Sequence, residues 1–541
     1  MKKNSQTLFA ATLIILVTLS VSTASAQCNF VPAEDGRLLT YHFIPECSEK
    51  LTTLHITLEF AGSKTGKDTV ELPEHWGDGT AIHAMTNLRT LDRGTTLSDG
   101  PTSGSKIVSH SPNAIITLSY DLCKDWTGPF GNPLQFHPVV MPQYFEINGS
   151  NGLLHPKLDG QDPVIVHFNF QKLPATWALA TSFGTSTDSG DRCQSYSGKW
   201  RAVDRALFAA GDFRIHRFKV KESPVILAIR GQWTFSDADA ISELQKTIGT
   251  VRDFWHDNNF PYFLVTLKPY DSDHGSSDGS GYTNAFWMYM SRLDPFSARL
   301  SQLAHEAFHT WNDARMGVET EGQKSIDWFH EGFTTYYGNT LVYHAGLITQ
   351  ADYLQAINLD LRRYSTSTSP YIRGHIIALW LDAMIRKTTD GKNSLDNIMF
   401  DLVRERDKPF TNAHIFDVIR RYLSPDLWVQ LHQAVERGFL PTIPSDALGA
   451  GIYLSSDQAA TFDLGFDYNA TKVTGKITGV KADGTAYIAG LRDGQVIVKR
   501  SVSMDQPDKQ VVLTVQADEG EKIIQYYPRG KVVLVPQFHI N

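Results

Sequence analysis

Cysteine is nearly absent: the 541 residues contain four, Cys28, Cys47, Cys123 and Cys193, all in the N-terminal part of the chain. Thiolates are therefore not available to a metal site further along, and an even number suggests disulfides in an oxidising compartment. The simplest expectation pairs nearest neighbours, Cys28 with Cys47 and Cys123 with Cys193. Long apolar runs are equally scarce. After "LFAATLIILVTLSV", Leu8 to Val21, no segment is a candidate membrane span. Positive charge is not in excess either: 50 Lys and Arg stand against 58 Asp and Glu, a formal charge of −8. That balance offers no electrostatic reason to bind nucleic acid or anionic lipid. No internal repeat is visible, which excludes solenoid architectures.

The N-terminal apolar run comes after Lys2 and Lys3 and ends in "ASA", Ala24 to Ala26. A positive start, a short apolar run and small residues at the minus-three and minus-one positions read as a secretory signal peptide over 1–26. The mature chain is expected to begin at Gln27 and to be periplasmic or extracellular. Gln27 before Cys28 is a poor fit to a lipid-anchor signal. The chain beyond Ala26 is too long for one hydrophobic core and suggests roughly three domains.

Period-two alternation in "LTTLHITLEFAG", "AIITLSYDL", "PVIVHFNF" and "DFRIHRFKV" predicts antiparallel strands and a β-rich, sandwich-type domain over 27–225. The period then lengthens. Ile241, Leu244, Ile248, Val251 and Phe254 form a helical stripe with Ser236 or Asp237 as N-cap, opening a mainly helical domain over 226–445. "PTIPSDALGAG" reads as a linker, and strands return over 446–541. The fold class expected is multidomain α+β.

In "LSQLAHEAFHTWND", Leu300 to Asp313, histidines at i and i+4 are about 400° apart on an α-helix, so His305 and His309 share a face and can meet one cation. Glu306 leaves the helix about 100° from His305, within reach of a metal-bound water rather than the metal. A hydrolytic zinc takes three protein ligands and keeps a water. "SIDWFHEGFTTYYGNTLVYHAG", Ser325 to Gly346, reads as a second helix with Glu331 in its first turns. A carboxylate is tolerated in that aromatic setting if a cation pairs with it.

"AHEAFHTWN", "WFHEGFTTYY" and "YIRGHIIALWLDAMIRKTTDGKNSLDNIM" together resemble the glycyl aminopeptidase family of PDZ-containing zinc metallopeptidases. The resemblance implies a β-rich N-terminal domain, a thermolysin-like catalytic domain and a C-terminal PDZ domain. It implies one zinc per chain on His305, His309 and Glu331, with Glu306 as general base and Tyr371 as the hydroxyl that stabilises the oxyanion. Peptides or proteins are then the substrates. Zinc would acidify its water and polarise the scissile carbonyl, and Glu306 would carry the proton to the leaving amine.

One place departs from the family pattern. Relatives carry a Gly-Gly-x-Glu-like strand whose acid holds the substrate's α-amine. Here "GSGYTNAFWMY" keeps Gly279 and Gly281, but Tyr282, Thr283 and Asn284 stand where the acid is expected. These five residues are the candidate substrate-binding wall, and Asp278 or Asp273 could substitute for the acid. Both aminopeptidase and endopeptidase specificity stay open. The nearby aspartates lack EF-hand spacing. In the tail, "FDLGFDY" and "AYIAGLRDGQVIV" resemble a PDZ domain, with Leu464, Gly465 and Phe466 matching the loop that binds a terminal carboxylate before strand addition. A structural cap is the alternative role, and a non-catalytic peptide-binding protein the alternative to the enzyme.

Overall fold

The computed structural model describes residues 36–541 except 48–51, 74, 77–78, 81–82, 127–129, 131–133, 187–191, 261, 271–276, 313–314, 320–325, 505 and 518–519. The expected signal peptide, Cys28 and the Asp271 to His274 loop lie outside the described residues.

Alternation works as expected in the N-terminal region. The strand Thr52–Ala61 buries Leu54, Ile56, Leu58 and Phe60 on one face. It lies within a six-stranded sheet ordered Arg192–Lys199, Pro163–Phe170, Arg37–Cys47, Thr52–Ala61, Ile115–Cys123, Met85–Thr90. That face shares a core with Phe145, Ile147, Leu179 and Phe208 of a second, five-stranded sheet, giving the sandwich. Cys123 and Cys193 are not partners. Cys123 is a free thiol and Cys193 is disulfide-bonded. Their strands stand first and fifth in the sheet, roughly 19 Å apart at ordinary strand spacing, beyond disulfide reach.

The boundary expected at 225 is displaced. Arg214–Val220 and Ser223–Ile229 belong to the next unit, a five-stranded sheet completed by Phe263–Tyr270, Ala285–Ser291 and the edge strand Ser277–Tyr282. Its three inner strands run parallel. One face packs on the helical layer and the other on Val139, Tyr144, Leu207 and Ala209 of the N-terminal region. Strands buried on both faces need not alternate, so "FLVTLKPY" carries no period-two signal. Across this junction the buried Lys268 ammonium donates to Glu146.

The helix Asp237–Trp255, which opens the helical layer, starts where expected: Ser236 accepts from the Asp239 amide in a capping box. The site helices are Leu300–Asn312, Asp327–His344 and Pro370–Thr388, the last with proline at its first turn.

After residue 450 the chain divides. An antiparallel ribbon of Ile452–Phe462 and Arg529–Ile540 docks on the helix Gln350–Arg363. Asn358 donates to the Phe538 carbonyl at 2.9 Å and accepts from the Phe538 amide at 2.7 Å. Ile452 and Phe538 join the core of the helical layer, so a boundary at 445 cuts through one packing unit. Beyond it, Val496–Ser501, Val511–Ala517 and Gly520–Tyr526 form a three-stranded sheet over a small separate core.

The expected carboxylate loop is differently built. Leu464 and Phe466 are buried in that core. The Gly465 amide donates to Asp463 Oδ1 at 2.9 Å, and the Asp467 amide to the Thr478 carbonyl at 2.8 Å. Where a strand would receive a peptide, the helix Tyr468–Thr474 stands instead, capped by Asp467. The Gly465 and Asp467 amides are thus engaged, and among the described residues a helix rather than a strand follows the loop.

Candidate metal centre and active site

His305 and His309 leave the helix Leu300–Asn312 on one face, their Nε2 atoms 3.0 Å apart. Glu331, from the helix Asp327–His344, brings Oε2 to 3.3 and 3.4 Å from those nitrogens. The three donor atoms lie within 4.8 Å of one another, the only such group of three or more potential metal-binding side chains among the described residues. The arrangement fits a dication. Two ring nitrogens converge on one point, and Glu331 Oε2 is buried without a hydrogen bond.

The ring of His305 is oriented from behind. Thr335 Oγ1 donates to the Glu331 carbonyl at 2.7 Å and lies 3.4 Å from His305 Nδ1. Its one proton being committed, the hydroxyl accepts from Nδ1–H, which leaves the Nε2 lone pair facing the site. Asn312 ties the two helices, donating to the His330 carbonyl at 3.0 Å and to Thr334 Oγ1 at 2.6 Å. His330 stacks on Phe410, and buried His375 meets Asp360 at 2.8 Å. Both are packing residues.

Backbone contact sets the helix spacing. A Cβ on Gly332 would meet Gly374 Cα at 2.2 Å, and one on Gly374 would meet the Trp328 carbonyl at 2.0 Å. Glycine at both positions lets the helix carrying Tyr371 sit directly on the helix carrying Glu331. The Tyr371 ring stacks on His305 with centroids 5.8 Å apart while remaining 47% exposed. Burial of its hydroxyl and the charges of Glu331, Glu306 and Asp278 raise its pKa, so it stays a proton donor at neutral pH.

Glu306 points to the edge strand: a Cβ on Gly279 would lie 2.4 Å from its Oε1. Burial raises its pKa to about 8, with Glu331 and Asp278 acting in the same direction. Burial also pushes Glu331 up, but the His309 and His305 rings outweigh it and hold that carboxyl well below the usual range.

Of the residues expected to form the substrate wall, two glycines lie beside the site. Gly279 lies on Glu306, and a Cβ at Gly281 would stand 3.0 Å from His309 Cβ. Thr283 and Asn284 form the two-residue turn between the edge strand and Ala285–Ser291, with Asn284 at φ 51°. Tyr282 does not offer its hydroxyl to this wall. The ring is buried, and its oxygen accepts from Trp287 Nε1 at 2.5 Å and Asn148 Nδ2 at 3.4 Å, inside the junction with the N-terminal region. Sequence reasoning missed Thr335 and the Gly332–Gly374 contact. Glycines inside otherwise helical patterns were the available signal for the last.

The family profile described as M61 glycyl aminopeptidase matches residues 298–375, the span from the first site helix to just beyond Tyr371. A solved aminopeptidase N family protein from Idiomarina loihiensis shares the fold with a TM-score of 0.68 at 17% identity, over 92% of this chain and 97% of that one. An M1 zinc metallopeptidase from Deinococcus radiodurans, a mutant bound to a Tyr-Ser-Ala substrate, aligns with a TM-score of 0.50 at 14% identity, over 76% and 96% of the two chains. Among curated proteins none matches in sequence. The chain is a zinc metallopeptidase. Within that class, residues 298–375 are similar to the M61 glycyl aminopeptidases.

Proposed function

We propose that the protein is an exported aminopeptidase that removes residues from the free N-termini of peptides, with one zinc per chain held by His305 Nε2, His309 Nε2 and Glu331. The observation that carries the exopeptidase reading is Asp278. Its charge reaches both Glu306 and Tyr371, and its carboxylate is steadied by the Gln135 side chain and by the Gly279 amide at 2.9 Å. An anion whose charge is felt at both reacting groups is what selective binding of an α-ammonium requires. It takes the place of the acid missing from Tyr282 to Asn284. Export rests on the signal-like residues 1–26 and is tested by finding Gln27 at the mature N-terminus.

Zinc in this donor set supplies Lewis-acid polarisation of a carbonyl and acidifies a water toward neutrality. The chain's own groups do the rest. Glu306 accepts the proton of the attacking water and returns it to the departing nitrogen. Glu331, once paired with a cation, would no longer raise the Glu306 carboxyl, which would then favour its ionised form as the base. Tyr371 donates to the oxygen on which negative charge develops. The strands after 450, docked through Asn358, Gln537 and Phe538, support the reading of that region as a cap on the helical layer.

Matched peptides with free and acetylated N-termini, digested with and without a zinc chelator, test the proposal. Chelator-sensitive trimming of free termini alone is the expected result, and Asp278→Asn raises KM for those peptides. Internal cuts in acetylated peptides at equal rates overturn the amine anchor. Absence of any chelator-sensitive cleavage over a broad peptide set favours a binding protein on a peptidase fold.

A further inference from the structure

Beyond His309 the site opens into a cavity of about 760 Å³ at the junction of the N-terminal and catalytic regions. The Gly281 to Asn284 turn forms one wall. The charges around it are one-sided: Lys199, Arg201, Arg205, Arg315 and Arg406 face it against Asp257 and Asp407, in a chain whose formal charge is −8. Asp257 is already engaged. It accepts from Arg315, from Trp311 Nε1 at 3.0 Å and from the Asn259 amide at 3.0 Å. Burial lowers the pKa of Arg315, and the like charge of Arg406 adds to that lowering against the pull of Asp257. An incoming anion would relieve this repulsion.

The opposite end of the site is acidic, with Asp278, Glu306 and Glu331. The edge strand Ser277–Tyr282 joins the two ends and, among the described residues, has no strand partner on its outer side. An extended peptide laid along it passes Glu306 at Gly279 and His309 at Gly281 and then enters the cavity. Low-dielectric walls concentrate the field of the cations lining it.

We propose that this cavity is a subsite for the carboxylate-bearing part of the substrate, with an Asp or Glu side chain or the peptide's own C-terminal carboxylate lying among Lys199, Arg205 and Arg406. The assignment rests on the peptidase reading and adds a substrate class to it. It differs from an ordinary hydrophobic specificity pocket, because selectivity comes from charge and weakens with salt.

The test is binding, measured apart from turnover. Fluorescent peptides carrying Glu, Gln or Lys at successive positions, each with a free or an amidated C-terminus, are titrated by anisotropy into full-length, zinc-loaded Glu306→Gln protein. The expected result is at least tenfold tighter binding of the carboxylate-bearing peptide, diminished in 0.5 M salt, about the ionic strength at which screening reaches only a few ångströms. Selectivity that persists in amidated Glu peptides assigns the site to side chains; selectivity lost on amidation assigns it to the terminal carboxylate. The double charge reversal Lys199→Glu with Arg406→Glu, both exposed in the parent, should remove or invert the Glu-to-Lys affinity ratio, with circular dichroism reporting the fold. Equal affinity for Glu, Gln, Lys, acid and amide forms, no binding at all, or an unchanged ratio in a folded double variant overturns the proposal. Chelator-sensitive hydrolysis without charge selectivity discards this subsite and leaves the peptidase. Charge-selective binding without hydrolysis does the reverse.

Discussion

Around His305, Glu331 and Tyr371, three helices meet backbone to backbone: Gly332 touches Gly374, and Gly338 lies against Ser301 and His305. In the small C-terminal unit, Leu464, Ile477, Val511, Leu513 and Val515 form a core of packed side chains, while Ile523, Val532 and Leu534 stay more than 60% exposed nearby. The difference reflects what each must hold. Ligand atoms kept near 3 Å tolerate no sliding of their helices, and helices that touch at glycine cannot slide. A cap has no such demand, so disturbance in it should stay local.

Substitutions can break or sharpen that contrast. The largest effect belongs to Glu306→Gln, expected to lower kcat by roughly 10²–10⁴-fold while zinc content by elemental analysis stays at one per chain; loss of zinc would make Glu306 structural. Tyr371→Phe should lower kcat about 10²–10³-fold with little change in KM, and a change in KM alone would remove its oxyanion role. In the cap, Leu513→Ala should cost about 2–5 kcal/mol of local stability, seen by hydrogen exchange confined to residues after 460, with kcat unaltered. A matching fall in kcat would show that the two regions are coupled. Gly374→Ala inverts the experiment. Its new methyl meets backbone in the helix carrying Glu331, so about 1–3 kcal/mol of overpacking should come with weakened zinc affinity, read by competition with a chelator.

The smallest effect tests the surface of the catalytic region by pH. Asp237 is held below the usual carboxylate range by the hydrogen bonds of Arg214, against a burial effect that pushes it up, with His216 assisting. A depressed folded pKa stabilises above the unfolded value of about 3.9 and is lost as pH falls through the folded one. Asp237→Asn should therefore lower the urea midpoint at pH 7 by less than about 1 kcal/mol equivalent, and the gap to the parent should close toward pH 3.

Much of the site was legible because its signals are local. The i, i+4 spacing of His305 and His309 and the intervening Glu306 are set by helical geometry alone, as is the Ser236 cap. The parallel strands were harder to see, since burial on both faces erases alternation. Tyr282 is a clear example of the limit: its place in the chain suggested a substrate wall, but its hydroxyl turns into the junction to reach Trp287 and Asn148. The loop at Leu464 to Phe466 failed for a related reason. Its short motif was present, and the helix after it was decided by Asp467 capping and by packing over the three-stranded sheet.

By itself, then, the sequence determined the chemistry: two imidazoles, a base and a downstream carboxylate at spacings that a helix converts directly into geometry. Tertiary structure decided what that chemistry meets. Lys199, Arg205 and Arg406 come from segments far apart in the chain, and only the packing of the N-terminal region against the catalytic region brings them to one cavity beside His309, as it brings Gln135 to Asp278. Long-range electrostatics depends on distances that no local periodicity encodes.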